Sequence, residues 1–168
     1  MVENNSELES PGVLTNPDFF LSSTCPLYLD DSVCALIIME DGRYLLQLRE
    51  QKADITFPAH WCLFGGGVEK GEVPFATLCR ELNEELNLKV RNAKMFTQFD
   101  VDLTPSGLRK FNRIYYEIKL THQESSSLIL NEGEAMRGFT IREIKTLQRI
   151  SPIDAFALWL HIERGRLY

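Results

Sequence analysis

Residues 66–88, GGVEKGEVPFATLCRELNEELNL, constrain this chain more than any other stretch. Gly65, Gly66, Gly67 and Gly71 free the backbone to approach a neighbour closely and to present its N–H and C=O groups. The run gives way at Pro74 to an amphipathic segment ending near Leu86, and a proline fits the first turn of a helix because its missing N–H has no partner there anyway. At about 100° per residue, Glu81, Glu84 and Glu85 share an arc of roughly 100°. Phe75, Leu78, Cys79, Leu82 and Leu86 form the adjoining apolar stripe. The three carboxylates are therefore expected at the rim of the buried face.

That placement is costly for a purely solvated acidic face. Like charges three and four residues apart on a helix each cost about 0.2–0.5 kcal/mol, and these also sit toward the negative end of the helix dipole. Arg80, four residues before Glu84, is the one local offset. A cluster that repels itself beside a low-dielectric surface calls for a cation. Carboxylate oxygens without histidine or thiolate point to Mg²⁺ or Mn²⁺. Glu72 enters just ahead of the helix, from a different direction. A glycine loop beside such a site suggests a phosphate-bearing substrate bridged to the metal.

Around this centre the chain reads as a mixed sheet with helices packed on it, an α/β fold. SVCALIIME, Asp41-Gly42 and RYLLQLRE predict a β-hairpin. WCLF (61–64) predicts a short buried strand. KMFTQFDVDL and LRKFNRIYYEIKL predict two further strands about a Pro105-Ser106-Gly107 turn, with Ile114, Tyr116, Ile118 and Leu120 on one face. QESSS and NEGE read as loops and LIL as a short strand. Thr140 and Glu143 make a capping box, and Ser151-Pro152 opens a last helix with Ile153, Phe156, Ala157 and Leu160 as its apolar stripe.

The chain has 168 residues, 44% of them hydrophobic, enough for one domain with a sizeable core. Residues 1–15 read as a mobile acidic arm and 16–168 as the single domain. Residues 1–31 carry six acids and no Lys or Arg, so the formal charge of −6 lies wholly there. A neutral body has no footprint for bulk nucleic acid. No apolar run approaches the roughly 20 residues of a membrane span, and the N-terminus does not read as a secretory signal. Cys25, Cys34, Cys62 and Cys79 lack metal-site spacing, as expected of a reduced, cytoplasmic protein. The apolar 19–29 segment is a candidate homodimer contact.

Residues 66–88 resemble the Nudix box, G-x5-E-x7-R-E-U-x-E-E-x-G-U with U apolar. Gly66, Glu72, Arg80, Glu81, Leu82, Glu84, Glu85 and Leu88 fill the pattern, and Asn87 stands where the family usually has glycine. Asn is the residue next best able to reach a left-handed cap. The resemblance implies a Nudix-type α/β/α sandwich and hydrolysis of a nucleoside diphosphate linked to another moiety, by water attacking phosphorus. It implies metal ligands at Glu81, Glu84 and Glu85, with Glu72 and the Gly66 carbonyl as further candidates, and Arg80 orienting the glutamates. The general base stays open among Glu81, Glu85, Glu132 and Glu134. Arg49, Trp61 and the Gly65–Gly67 backbone are candidate substrate contacts. ADP-ribose, nucleoside-diphosphate sugars and (d)NTP-like substrates all remain open, as does a Nudix-fold module that binds a nucleotide without turning it over.

Overall fold

The computed structural model describes residues 31–53, 55–106 and 109–167. The 1–15 arm, the 19–29 segment and Cys25 lie outside them. Two strands, β1 (Ser32–Met39) and β2 (Tyr44–Leu48), form the expected hairpin about Asp41-Gly42, with Ile37 opposite Leu45. Strand β3 (Trp61–Cys62) precedes the glycine loop, and helix α1 (Pro74–Leu86) follows it. Next come β4 (Lys94–Asp102), a 3₁₀ turn (Thr104–Ser106) and β5 (Lys110–Leu120). The C-terminal part holds α2 (His122–Ser126), β6 (Ala135–Phe139), α3 (Ile141–Thr146) and α4 (Pro152–Glu163).

The six-stranded sheet runs β3-β2-β1-β5-β4, with β6 on β2. Parallel pairing of β1 with β5 leaves β1 buried on both faces, which explains its unbroken apolar run. Val33, Ala35 and Ile37 face α1, and Cys34 and Leu36 face α4. Helices on both faces of a mixed sheet make the α/β/α sandwich. Only the hairpin end of β1 pairs with β2. Its other half takes up the segment after β3 instead, with Ala35 opposite Phe64 and Ser32 opposite Gly67. That departure lays the glycine loop alongside the central strand.

Three local expectations are corrected. His122–Ser126 is a helix, nucleated by a capping box between Thr121 and Glu124. Residues 128–130 form no strand. They run past the end of α1, where Ile129 N–H donates to the Leu86 carbonyl and Asn131 N–H to the Glu85 carbonyl, satisfying groups that a helix end otherwise leaves unpaired. On α4 the buried side chains are Asp154, Ala157, Leu158 and His161, whereas Phe156 is half exposed. The apolar stripe misled because two of the inward residues are polar and internally paired. Likewise on α1, Leu78, Leu82 and Leu86 are fully buried but Phe75 is not. Strand β6 was not anticipated.

Asn87 has φ 53° and ψ 30°, the left-handed conformation. Its N–H donates to the Asn83 carbonyl, and the next residue, Leu88, donates to Leu82. The turn normally made by glycine is thus intact. Cys34, Cys62 and Cys79 are free thiols. Among the described residues no helix is long and apolar enough to cross a membrane.

Candidate active site

Helix α1 carries its carboxylates into three different environments. Glu85 is buried, one turn from the helix end, and accepts from Gln47 Nε2 at 2.9 Å and from the Gly65 N–H at 2.8 Å. Burial pushes its carboxyl up to about 7, the negative charges of Glu81 and Glu132 push the same way, and the two hydrogen bonds only partly offset them. Glu81 is half-buried against the loop. A Cβ built on Gly66 would lie 2.3 Å from its carboxyl carbon, so the box begins with glycine because Glu81 occupies that space. Burial raises the Glu81 carboxyl too, with Arg80 opposing. Glu84 is exposed.

Gly65 has φ +130°, and a Cβ there would meet the Val33 carbonyl at 2.2 Å. Only glycine lets the loop sit this close to β1. Gly66 is held in turn by the Val33 N–H donating to its carbonyl.

Arg80 ties the loop to the helix. Its Nε and Nη2 reach the two oxygens of Glu72 at 3.1 and 3.0 Å, in the bidentate arrangement typical of arginine. Nη1 donates to Glu81 at 2.7 Å and to Glu84 at 3.3 Å, and Nη2 also reaches the Gly67 carbonyl. Glu72 further accepts from Thr77 Oγ1 and the Glu69 N–H. Arg80 and Thr77 hold its carboxyl down to about 2. Both Glu72 oxygens are therefore engaged in the clamp on Arg80.

Two hollows flank this centre. A cleft of about 420 Å³ is lined by Gln47, Arg49, Glu85, Asn131 and Glu132, among others. Asn131 Nδ2 donates to the Glu84 carbonyl, so the 131–134 loop is fixed to the end of α1 and Glu132 faces Glu85. Glu134 turns away, accepting from the Gln51 N–H. The second hollow, about 260 Å³, reaches from Gly65–Gly67 to Arg113 on β5 and Asp154 on α4. Arg49 lines both. Cys34 and Cys62 also line the second, but burial raises both thiols far from the thiolate form.

Trp61 lines neither hollow. Its indole packs edge-on against Phe139, 4.7 Å between ring centres, on the α4 side of the sheet. Its backbone bonds Arg149 and Ser151, fixing the start of α4. Arg113 and Asp154 were missed at the sequence level. The signal was there: Arg113 falls between Phe111 and Tyr115 on the inward face of a strand, a position where a charge needs a reason.

A model of the NUDIX domain matches residues 29–159. The chain belongs to the Nudix family. Nucleoside triphosphatase NudI of Escherichia coli O139:H28 (strain E24377A / ETEC) is 48% identical over 55 residues, which are 32% of this chain and 37% of that protein. The match thus spans well under half the length of that relative. The solved structure of the MutT protein from Methanosarcina mazei Go1 superposes with a TM-score of 0.66 at 21% identity, covering 88% of this chain and 99% of that one. The NUDIX domain of Shewanella oneidensis NrtR, solved in complex with ADP ribose, gives a TM-score of 0.61 at 14% identity over 91% and 94% of the two chains. At such identities the two structures establish the Nudix fold and its layers.

Among the described residues of this Nudix domain, no three His, Cys, Asp or Glu side chains stand close enough together to hold a metal ion. The reason is visible in the clamp, since Arg80 holds both Glu81 and Glu84. Glu84 and Glu132 are exposed side chains on the edge of the cleft, free to rotate. The donor set nonetheless suits a hard cation. It is all oxygen, and its buried members are raised by burial and mutual repulsion, a penalty that a bound cation relieves.

Proposed function

We propose that this Nudix domain is a pyrophosphohydrolase, dependent on Mg²⁺ or Mn²⁺, that cleaves a nucleoside diphosphate linked to another moiety. The observation that carries the reading is Glu85, a buried carboxylate pinned by Gln47 and the Gly65 N–H, with Glu81 beside it and Glu132 facing it across an open cleft. Glu81, Glu84, Glu85 and the Gly66 carbonyl would hold the metal, which supplies charge neutralisation of the diphosphate and a lowered pKa for the attacking water.

The chain's own residues do the rest. Gln47 and Gly65 fix the Glu85 carboxylate in one orientation. Arg80, itself fixed by Glu72, keeps Glu81 and Glu84 on the cleft side of α1. In this assignment Glu72 is a positioning residue for Arg80, because its oxygens are already engaged. Arg49, at the junction of the two hollows, meets a phosphate. Glu132 is placed to accept the proton of the attacking water, being near the cleft and unencumbered.

The test is product release from ADP-ribose, nucleoside-diphosphate sugars, dinucleoside polyphosphates and (d)NTPs with Mg²⁺. Turnover of at least one supports the proposal, and none with either Mg²⁺ or Mn²⁺ overturns it. One observation favours a second reading, a module that binds a nucleotide without hydrolysing it. The hold of Arg80 on Glu81 and Glu84 leaves no preformed ligand trio. That reading predicts saturable nucleotide binding, indifferent to metal, in the absence of turnover.

A further inference from the structure

The buried side-chain polar atoms without a hydrogen-bond partner among the described residues are Ser32 Oγ, Arg49 Nε and Arg113 Nε. All three residues line the 260 Å³ hollow. A buried donor left unpaired costs about 1–3 kcal/mol, and folded proteins leave few of them. Their convergence on one hollow marks a place where a ligand supplies the partners, and the surplus is in donors.

The two guanidinium groups are not equivalent. Arg113 Nη2 pairs with Asp154 Oδ1 at 2.9 Å, and the Asp154 side chain is 1% exposed. The charge of Arg113 is therefore compensated in place, while its Nε–H stays available. Asp154 Oδ2 already accepts from the Leu63 N–H at 3.1 Å. Arg49 forms no ion pair among the described residues and borders the carboxylate cleft as well. A phosphate deep in the hollow would face the Asp154 carboxylate, whereas a neutral carbonyl would not. Phe57 and Phe111 supply apolar walls. The volume falls below the roughly 300–1,000 Å³ of sites that enclose drug-sized ligands, which suits one ring system with its phosphates outside, toward Arg49.

We propose that this hollow receives the base of the nucleotide substrate and that Arg113 Nε selects a base bearing a carbonyl, as in hypoxanthine or guanine, over one bearing an amino group at that position, as in adenine. The inference rests on the nucleotide reading of the site but not on turnover. An amino group there would set a donor against the Arg113 N–H and leave it unpaired. The rejection comes from an unmade hydrogen bond, the kind of discrimination that polar sites achieve well.

Titration calorimetry with IMP and AMP on the full chain, without metal, tests the proposal, because the two bases differ at the six-position carbonyl or amino group. IMP is expected to bind at least about tenfold more tightly than AMP. Arg113→Lys keeps a cation for Asp154 but removes the Nε–H, and is expected to bring the two affinities within about threefold of each other. Equal or tighter binding of AMP by the unaltered chain, no binding of either nucleotide, or an unchanged ratio in a folded Arg113→Lys variant overturns it. If that variant does not fold, the unaltered chain decides. IMP preference without hydrolysis of any substrate would sink the hydrolase reading and leave this one standing. Hydrolysis with no preference would do the reverse.

Discussion

Glu85 shows how one residue joins the fold to the chemistry. It sits on the inward side of α1, and its two hydrogen bonds hold a carboxylate where an apolar side chain would be unremarkable. With its folded pKa raised from 4.5 to about 7, the native state binds the extra proton between those values. Glu85 therefore costs the metal-free protein stability as pH rises through that window. Glu85→Gln removes the cost. The melting temperature of the variant relative to the unaltered chain should thus climb between about pH 5 and pH 8, by an amount corresponding to at most about 3 kcal/mol. A difference that stays flat across that range would show that Glu85 is not so desolvated. At this scale the sequence was informative about residue type and spacing, because carboxylates in register on a helix announce a shared direction. It was silent about partners. Nothing in the chain order says that Gln47 meets Glu85, that Asn131 caps α1, or that Arg113 finds Asp154, since each pair is joined only by the sheet.

Helix α1 was legible nearly to the residue, because proline starts it, Leu78, Leu82 and Leu86 repeat at one face, and Asn87 ends it. The ending is a testable point. A β-branched side chain tolerates the left-handed region poorly, while glycine enters it without penalty. Asn87→Val should destabilise the domain by about 1–2 kcal/mol, and Asn87→Gly should leave stability unchanged or raise it, as read by chemical denaturation. Equal stability for both would contradict the cap assignment. The elements that escaped the sequence reading share a cause. Strand β6 exists because β2 offers it an edge, with Leu45 opposite Gly138, and that pairing is tertiary. Helix α2 is a single capped turn with no buried residue, too short to show a period. The face of α4 was misread because Asp154 and His161 are buried by their partners rather than by their polarity.

Across the whole molecule, α4 closes one side of the sheet through polar contacts far from the carboxylate cleft. His161 is buried between Tyr44 Oη at 2.8 Å and Glu117 Oε2 at 2.8 Å, with Arg164 beside it. Burial lowers its pKa and Arg164 adds to the effect, while Glu117 opposes it. Below the unfolded value of 6.5, the unfolded chain takes up a proton that the native one resists, so stability falls with pH there. The melting temperature should drop on going from pH 7 toward pH 5.5, and the drop should shrink in His161→Gln; an identical slope in that variant would count against this role. Such long-range ties were beyond the sequence, as was the split of β1 between β2 and the glycine loop, which creates both hollows. The central claim is that the α1 carboxylates serve metal-dependent diphosphate hydrolysis, and Glu84 tests it most directly, being exposed and outside the core. For a nucleotide turned over with Mg²⁺, kcat of Glu84→Gln should fall at least about a hundredfold with the melting temperature unchanged. Near-normal turnover by the folded variant would contradict the account.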